Sequence, residues 1–439
     1  MPLKAFPRVP VSAPERPARV PRGTCASLNV SGTRNILGRM TTPLAASWRP
    51  AAVLASLSLV LPAVGACSAS DPGAQVNPEA TTIHAVASTT QICDYVTQLA
   101  SGGEDLSFSR TGADGTTAEL GADPATAPVR LTLTCLLAPN ASAHEHEMTT
   151  SQSAALAEAD LFLVNGVDLE HFLDDAVSST GFHGTMVVTS GVLTADDVDK
   201  PGSHEADEAS LPYTIDRGIQ AVDVAPWPFA PEEGEQAEFR YDPHVWTSPR
   251  NAAIQVANIG AALAAVAPGA AETINTHVSA YAELLTTLDT WAQESLNSVP
   301  ADRRVLFTSH DAFGYFSAAY GVRFEGAALS DFNAQQDATA QKIQETADAI
   351  TASGAVAIFA ENSNNPESVE KVAALAGVRA VIGDEALYGD SLGEPGSDGE
   401  TYIGSILHNV TNLTTAWGGT VADVPDALAT WTPTDVVTP

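Results

Sequence analysis

Short apolar runs alternate with helix-like segments along most of the chain from about residue 80, and this alternation constrains the fold more than any other feature. The runs DLFLVNG (160–166) and TMVVTS (185–190) are shorter than most helices, and the helix-like segment DLEHFLDDAVS (168–178) separates them. This pattern is typical of a parallel sheet, because two parallel strands need a crossover connection between them. The chain is therefore predicted to have an α/β fold.

Two long helical segments divide the pattern into two halves. The segment 248–269 is predicted to be one helix that ends at Pro268-Gly269, and the segment 270–299 is predicted to be a second helix of nearly thirty residues. At 1.5 Å per residue the second helix is about 45 Å long, enough to span two lobes. We therefore predict two α/β lobes, each with a mostly parallel sheet, as follows: an N-terminal lobe at 80–247, a helical connection at 248–299 and a C-terminal lobe at 300–439.

Residues 192–241 interrupt the pattern of the first half. The stretches TADDVDKPGSHEADEASL and WPFAPEEGEQAEF are acidic and contain prolines, which are typical of turns and loops. We predict an exposed loop or a short hairpin here, and not a further domain.

The first 66 residues are predicted to be an export signal. The run AAVLASLSLVLPAVGAC (51–67) has roughly 16 apolar residues, fewer than the ~20 that a membrane-spanning helix needs, and fits the apolar core of a signal peptide. Its end, VGAC, resembles the bacterial lipobox, so Cys67 is expected to be lipidated and to become the mature N-terminus. An ordinary cleaved signal with a chance cysteine is the alternative. We expect Met40 to be the true start and residues 67–79 to form a flexible tether.

The charge balance argues against nucleic acid as a partner. The chain has 20 Lys and Arg against 53 Asp and Glu, a formal net charge of −33, and eight of the basic residues lie within the first 66 positions. Nucleic-acid phosphates need basic partners. The acidic surface instead suits a soluble protein that attracts cations.

Two of the four cysteines are expected to pair. Cys25 and Cys67 lie in the N-terminal segment, which leaves Cys93 and Cys135. Outside the cytoplasm a remaining even pair usually forms a disulfide, which would close a loop of about forty residues and stabilise the fold by roughly 3–4 kcal/mol. A cysteine metal site is the alternative, and it is disfavoured because the two cysteines lack the usual CxxC spacing.

Polar residues at the ends of predicted strands and in loops indicate a candidate metal site. They are His144 after LTLTCLLAPNASA, His244 in YDPHVWTSP, His310 after RVLFTS and Asp390 after VRAVIGDEALYG. In parallel α/β sheets ligands bind outside the carboxyl ends of strands, so these residues, two from each lobe, could converge between the lobes. Three imidazoles and one carboxylate suit Zn²⁺, and the mixed nitrogen and oxygen set also accepts Mn²⁺ or Fe²⁺. Because ligand imidazoles must be neutral, metal affinity is expected to fall below about pH 6.

The motifs around these residues resemble those of the zinc/manganese-type solute-binding proteins of ABC metal importers, in particular the zinc-binding subgroup. The segments that carry the resemblance are HEHE, NGVDLEHFLDD, DPHVW, TSHDAFGYF and YGDSLG…GSDGETYIGSILHNV, and together they cover the chain from about 80 to 420. The resemblance implies that His144, His244, His310 and Asp390 bind one metal ion in the cleft between two lobes that a rigid helix connects. The third ligand is His in zinc-type members and commonly Glu in manganese-type members, so His310 implies Zn²⁺, with Mn²⁺ less favoured.

The resemblance also implies a function and a place in the cell. The chain would be an extracytoplasmic lipoprotein, in the periplasm or at the cell surface, anchored to the membrane by its N-terminal lipid. It would capture Zn²⁺ with high affinity and deliver it to the membrane permease of an ABC importer, without enzymatic activity; a metallochaperone is a further candidate partner. Three features depart from the family pattern. Ser142-Ala143 replaces the usual Asp-Pro before the first ligand, and a sparse acidic stretch with His204 replaces the long His-rich loop. The third is the pair Cys93 and Cys135, which is not a general family feature.

Three further residues are candidates for an auxiliary role. His146 points to the same side as His144 if this segment is extended. Glu361, in FAENSNNP, follows a predicted strand and could hold a ligand histidine in place. His204 could bind metal weakly, although a solvated loop is the simpler interpretation.

Three alternative functions stay open. The first two are a manganese- or iron-binding member of the family and a surface adhesin of the same fold. The third is a metal-dependent hydrolase, in which Asp390 or Glu361 would be the general base. The sequence contains no HExxH helix to support hydrolysis.

Overall fold

Seven strands in the first half form one sheet in the computed structural model, which describes residue 77 and residues 79–203, 205–229, 239–325 and 340–438. The strands are β1 Thr81–Ala87, β2 Leu106–Thr111, β3 Thr117–Gly121, β4 Val129–Cys135, β5 Leu161–Val164, β6 Thr185–Val188 and β7 Thr214–Asp216. Their order is β3-β2-β4-β1-β5-β6-β7, and each neighbouring pair except β2 and β3 is parallel. The predicted mostly parallel sheet is therefore confirmed. The predicted export signal, Cys67 and His204 lie outside the described residues.

Five helices of the described residues accompany this sheet, and side-chain caps explain where two of them begin. The helices are α1 Thr90–Ala100, α2 Thr150–Ala157, α3 Leu173–Thr180, α4 Ala195–Asp199 and α5 Glu205–Glu208. The Thr89 hydroxyl accepts a hydrogen bond from the backbone N–H of Ile92, and Thr149 and Gln152 form a capping box at the start of α2. These caps satisfy backbone donors that an uncapped helix start leaves unpaired.

The helix predicted at 168–178 begins only at Leu173. Val167 and Asp168 have φ angles of 57° and 58°, in the left-handed region that a right-handed helix excludes. The Asp168 carboxylate accepts a hydrogen bond of 2.8 Å from the backbone N–H of Ala195 at the start of α4. The first residues of the predicted helix therefore form a turn held against α4.

Two edge strands are missing from the sequence prediction. The strand β3 has alternately exposed and half-buried residues and pairs antiparallel with β2. The strand β7 has only three residues and pairs with β6, inside the 192–241 region that was expected to be a loop or hairpin. Edge strands can be short and polar because one side meets solvent, so they lack the apolar run that identifies a central strand.

The described residues of the second half form four short strands and four α-helices. The strands are β8 Val305–Leu306, β9 Arg323–Phe324, β10 Ala357–Phe359 and β11 Arg379–Val381, and the helices are α8 Gly314–Tyr320, α9 Ala340–Ser353, α10 Glu367–Ala376 and α11 Tyr402–Ala416. The pairs β8–β9 and β10–β11 are parallel, and a parallel bridge between Thr308 and Phe359 places β8 beside β10. This half is therefore a second, smaller α/β lobe with parallel strands, and both lobes belong to one structural unit.

The two predicted long helices connect the lobes. They are α6, Pro249–Val266, and α7, Ala271–Asn297. The ring Nδ1 of His277 in α7 is hydrogen-bonded to the carbonyl of Leu99 in α1, and the Trp291 ring N–H donates to the carbonyl of Ala422 beyond α11. One hydrophobic cluster runs from β4 through α7 to α11 and includes Leu131, Leu285 and Leu407. The helix α7 therefore packs against both lobes, as a connecting helix must.

No single helix in the described part of the chain combines the length and hydropathy needed to cross a membrane. Only α6 and α7 taken together, with a bend of 117° between them, meet those two criteria.

A disulfide joins Cys93 in α1 to Cys135 at the end of β4, as the cysteine count predicts. The two Cα atoms are 5.7 Å apart and the residues are 42 positions apart in the chain. The bridge fixes α1 to the strand that leads into the loop of His144. It therefore ties together two elements that border the candidate site.

Candidate metal site

The four candidate ligands lie in connections at one edge of the sheets. His144 lies between β4 and α2, His310 between β8 and α8, Asp390 between β11 and α11, and His244 directly before the short 3₁₀ helix Val245–Thr247 that leads into α6. The structure brings all four together: one ring nitrogen from each histidine and one carboxylate oxygen lie within 4.8 Å of one another. This position agrees with the rule that ligands bind outside the carboxyl ends of parallel strands.

The distances between these atoms resemble the edges of a tetrahedron. The Nε2 atom of His244 lies 3.1 Å from Nε2 of His144 and 3.3 Å from Nε2 of His310. The Oδ1 atom of Asp390 lies 3.1 Å from Nε2 of His310, 3.6 Å from that of His244 and 3.7 Å from that of His144. Tetrahedral zinc bonds of about 2.0–2.1 Å separate neighbouring ligand atoms by about 3.3 Å. The four atoms can therefore surround one divalent cation.

These ligand side chains are almost inaccessible to solvent. The exposed fractions are 0% for His244, 2% for Asp390, 9% for His310 and 10% for His144. The Oδ1 atom of Asp390 is buried and faces the three ring nitrogens, with Nε2 of His310 at 3.1 Å. A buried carboxylate oxygen needs a donor or a cation to offset its lost hydration. The donor set and its burial therefore fit a metal ion.

Asp242 determines which nitrogen of His244 faces the other ligands. Its Oδ1 accepts hydrogen bonds from the ring Nδ1–H of His244, at 2.8 Å, and from the backbone N–H of His244, at 2.9 Å. The lone pair of Nε2 is then free to bind a cation. Burial lowers the pKa of His244 despite the opposing effect of the Asp242 carboxylate, so this imidazole is neutral at pH 7.

His310 and Asp390 form a strongly interacting pair. Burial alone would lower the pKa of His310, but the Asp390 carboxylate outweighs burial and raises that pKa to about 10. Burial would conversely raise the pKa of Asp390, and the facing histidines hold it well below its usual value. Without a metal ion, His310 therefore carries a proton at neutral pH.

Glu361 supports the turn that carries His310. Its Oε1 accepts a hydrogen bond of 3.1 Å from the backbone N–H of His310, and its own backbone N–H donates to the Ser309 hydroxyl at 2.9 Å. Burial raises the pKa of Glu361 well above its ordinary value. The structure thus places Glu361 behind His310, where the sequence analysis proposed an auxiliary role.

Residues of the N-terminal lobe hold the loop that carries Asp390. The Ser142 hydroxyl donates to Oδ2 of Asp390 at 2.9 Å, and the Gln91 side chain donates to the backbone carbonyl of Asp390 at 3.1 Å. The Trp246 ring N–H donates to the carbonyl of Gly389 at 2.9 Å. The sequence predicted no role in the site for Ser142, Gln91 or Asp242. Only Asp242 carried a local signal, because an Asp two residues before a ligand histidine can reach its ring.

His146 lies apart from the four ligands. The chain turns at His144 and Glu145, so the segment is not extended there. The His146 ring packs edge-on against Phe172, with centroids 5.1 Å apart, and partial burial lowers its pKa. His144 instead packs against Phe239, with centroids 5.4 Å apart. The segment is therefore not extended, which was the condition for the imidazoles of His144 and His146 to point to the same side.

Comparisons with known proteins identify relatives of the chain. The sequence profile of the family described as "Zinc-uptake complex component A periplasmic" matches residues 86–416. The zinc-binding protein TroA of Treponema pallidum is 30% identical over 284 residues, which is 64% of this chain and 80% of the relative. The manganese-binding lipoprotein MntA of Bacillus subtilis is 28% identical over 65% of this chain and 82% of its own length. The iron-binding protein YfeA of Yersinia pestis is 28% identical over 64% of this chain and 77% of its own length.

A solved structure agrees with the described fold. The periplasmic zinc-binding protein TroA of Treponema pallidum superposes with a TM-score of 0.54 at 25% identity, covering 77% of this chain and 99% of that one. The three relatives are named for zinc, manganese and iron. The choice among these metals therefore depends on the residues of the site.

Proposed function

The chain belongs to the family of the periplasmic component A of the zinc-uptake complex, and from this premise we propose that it captures Zn²⁺ and delivers it to the permease of an ABC importer. The family consists of metal-binding proteins of ABC importers. The metal ion is the cargo of such a protein, which needs a closed binding site and no reaction at the ion.

One observation carries the proposal. Three histidine nitrogens and one carboxylate oxygen converge at separations close to those of tetrahedral ligands. Zn²⁺ is satisfied by four such ligands, whereas Mn²⁺ prefers six ligands that are mainly oxygen. The nitrogen-rich set and the histidine at position 310 therefore favour Zn²⁺, one ion per chain.

The alternatives have weaker support. A manganese- or iron-binding function has relatives with those names, but a single carboxylate provides little of the oxygen ligation that Mn²⁺ prefers. A hydrolase needs an open metal position for water and a free general base. Here Asp390 faces the three histidines, and Glu361 bonds to the backbone of His310. A surface adhesin of the same fold could also bind metal.

The proposal includes a location and partners. Homologues are named as lipoproteins, which supports anchoring of this chain by a lipid on Cys67 and residence outside the cytoplasm. The partners would then be the importer permease, the membrane surface and a metallochaperone. The division into lobes at 80–247 and 300–439, with the connection at 248–299, belongs to the same proposal.

Metal titration of the purified chain tests the function. We expect one equivalent of tightly bound Zn²⁺, measured by competition with a chromogenic chelator, with Mn²⁺ bound more weakly and no hydrolysis of ester or phosphate substrates. His310→Ala should weaken zinc binding by at least about 100-fold, since it removes a ligand. His183→Ala, at an exposed histidine away from the site, is the matched control. Zinc affinity that survives substitution of His144, His244 and His310 would refute the site.

A further inference from the structure

The Ser142 hydroxyl connects the first and the last of the four ligands. Its oxygen accepts a hydrogen bond of 3.3 Å from the backbone N–H of His144, and its proton is donated to Oδ2 of Asp390 at 2.9 Å. Ser142 and Asp390 are 248 positions apart in the chain and belong to different lobes. The hydroxyl is thus oriented by one ligand segment and bound to the carboxylate of the other.

The two carboxylate oxygens of Asp390 have different surroundings. Oδ1 faces the three Nε2 atoms, at 3.1–3.7 Å. Oδ2 accepts the hydrogen bond from Ser142. Hydrogen bonds to a carboxylate are stronger than those between neutral groups. A rotation of the Asp390 carboxylate that presents both oxygens to one ion would therefore have to break a strong contact.

We propose that Ser142 holds Asp390 as a one-oxygen ligand and thereby favours Zn²⁺ over Mn²⁺. The inference rests on the proposed metal-binding function and names a residue that tunes its selectivity. Ser142 is a positioning residue, because it acts through its hydrogen bond to Asp390.

The effect on selectivity follows from coordination number. Three imidazoles and one carboxylate oxygen complete a tetrahedral zinc site. Mn²⁺ seeks additional oxygen ligands, and the second oxygen of Asp390 is the nearest such group in the ligand set. A hydroxyl that engages this oxygen therefore raises the cost of binding Mn²⁺ while leaving the zinc geometry intact.

The test compares Ser142→Ala with two companion variants. Ser142→Thr keeps a hydroxyl at the same position. Ser391→Ala is the matched control, because Ser391 adjoins Asp390 and its buried hydroxyl has no hydrogen-bond partner among the described residues. For each protein, zinc and manganese dissociation constants are measured by competition. The visible spectrum of the Co²⁺-loaded protein reports coordination number, since four-coordinate Co²⁺ absorbs strongly and five- or six-coordinate Co²⁺ weakly.

In Ser142→Ala we expect the preference for Zn²⁺ over Mn²⁺ to fall about tenfold, which corresponds to about 1.4 kcal/mol. The Co²⁺ bands should weaken in the same variant. Ser142→Thr and Ser391→Ala should match the wild-type chain, and thermal unfolding checks that all variants are folded. If Ser142→Ala misfolds, an altered selectivity or spectrum is sought in Ser142→Gly instead.

Two results would overturn the inference, and they are distinguishable. If the wild-type chain binds neither Zn²⁺ nor Mn²⁺, the proposed function fails and the inference fails with it. If the wild-type chain binds Zn²⁺ but the folded variant without the hydroxyl keeps both the wild-type selectivity and the four-coordinate Co²⁺ spectrum, only the role of Ser142 is refuted.

Discussion

The Nδ1 atom of His244 lies 2.8 Å from the Oδ1 atom of Asp242, two positions earlier in the chain. The same oxygen also accepts the backbone N–H of His244, so ring and backbone are held by a single carboxylate oxygen. His244 is completely buried, so contact with water cannot select its tautomer. Asp242 therefore prepares this imidazole for a cation before any cation arrives.

Removal of the Asp242 carboxylate should weaken metal binding. We expect Asp242→Ala to lower zinc affinity about 10–100-fold, because the His244 ring loses its orientation and its fixed tautomer. Asp242→Asn keeps a carbonyl oxygen as acceptor and should lie between Asp242→Ala and the wild-type chain. Chelator competition measures both. Equal affinity in Asp242→Ala and wild type would show that the contact has no part in binding.

Metal binding should release a proton from His310. Its pKa is raised to about 10, so at pH 7.5 the ring is protonated, and an incoming ion must displace that proton. Calorimetry in buffers of different ionisation enthalpy should detect at least one released proton per ion. Zinc affinity should rise about tenfold per pH unit from pH 7 to pH 9. The sequence predicted that zinc affinity is lost below about pH 6. The His310–Asp390 pair extends this pH range of weakened binding to higher pH. Absence of proton release would contradict the pairing.

The same pair predicts how the stability of the chelator-treated protein depends on pH. The pKa of His310 is higher in the folded chain than its unfolded value of 6.5. Protonated His310 therefore stabilises the fold fully below pH 6.5, and this contribution is lost as the pH rises towards about 10. Asp390→Asn removes the partner and should flatten this part of the profile. Urea unfolding between pH 6 and pH 10 provides the measurement, and an unchanged slope in the variant would count against the pair.

His144 and His146 should differ sharply as ligands. His144→Ala should lower zinc affinity by at least about 100-fold, since it removes a ligand. His146→Ala should stay close to wild type, because its ring packs against Phe172 and lies outside the ligand group. Chelator competition on the two variants decides the matter. A comparable loss in both would mean that His146 also binds the ion.

Gly389 should tolerate no side chain. A Cβ atom there would lie 1.8 Å from Oε2 of Glu361, and the neighbouring residue is Asp390. Overpacking of this kind costs about 1–3 kcal/mol and should displace the Asp390 loop, so Gly389→Ala should lose both stability and zinc affinity. Gly269→Ala, where the nearest atom is a methyl carbon of Val129 at 3.2 Å from the added Cβ, is the milder control. Thermal unfolding and chelator competition measure the two effects.

Loss of the disulfide should destabilise the fold. The double substitution Cys93→Ala, Cys135→Ala should lower the free energy of unfolding by about 4 kcal/mol, because it frees a long loop in the unfolded chain. Urea unfolding of the wild-type chain in the presence of a reductant should reproduce the loss. A double variant as stable as the oxidised wild type would show that the bridge contributes nothing.

The four converging residues could be predicted from the sequence because their signals are local. Each of the predicted ligands lies beside a recognisable strand or motif, and parallel strands place their carboxyl ends together. The alternation of strands and helices likewise predicted two α/β lobes and the long helix α7. Glu361 could be found by the same strand-end rule.

Features that depend on tertiary contacts could not be predicted from the sequence. The bond between Ser142 and Asp390 joins residues 248 positions apart, and nothing in either local segment indicates it. The orientation of His146 depends on a turn at His144 and Glu145 that the alternating HEHE letters conceal. The edge strands β3 and β7 lack the apolar period that marks a buried strand.

The wide spacing of the ligands has a consequence for how the protein matures. His144 and His244 are 100 positions apart, and His310 lies 66 positions beyond His244, so no short segment of the unfolded chain holds the complete set. The ion therefore cannot initiate folding at a local segment of the chain. It stabilises only a chain whose two lobes have already assembled. If the site binds metal as proposed, the amount of metal held at saturation is a count of correctly assembled molecules, and loading serves as a test of quality as well as of function.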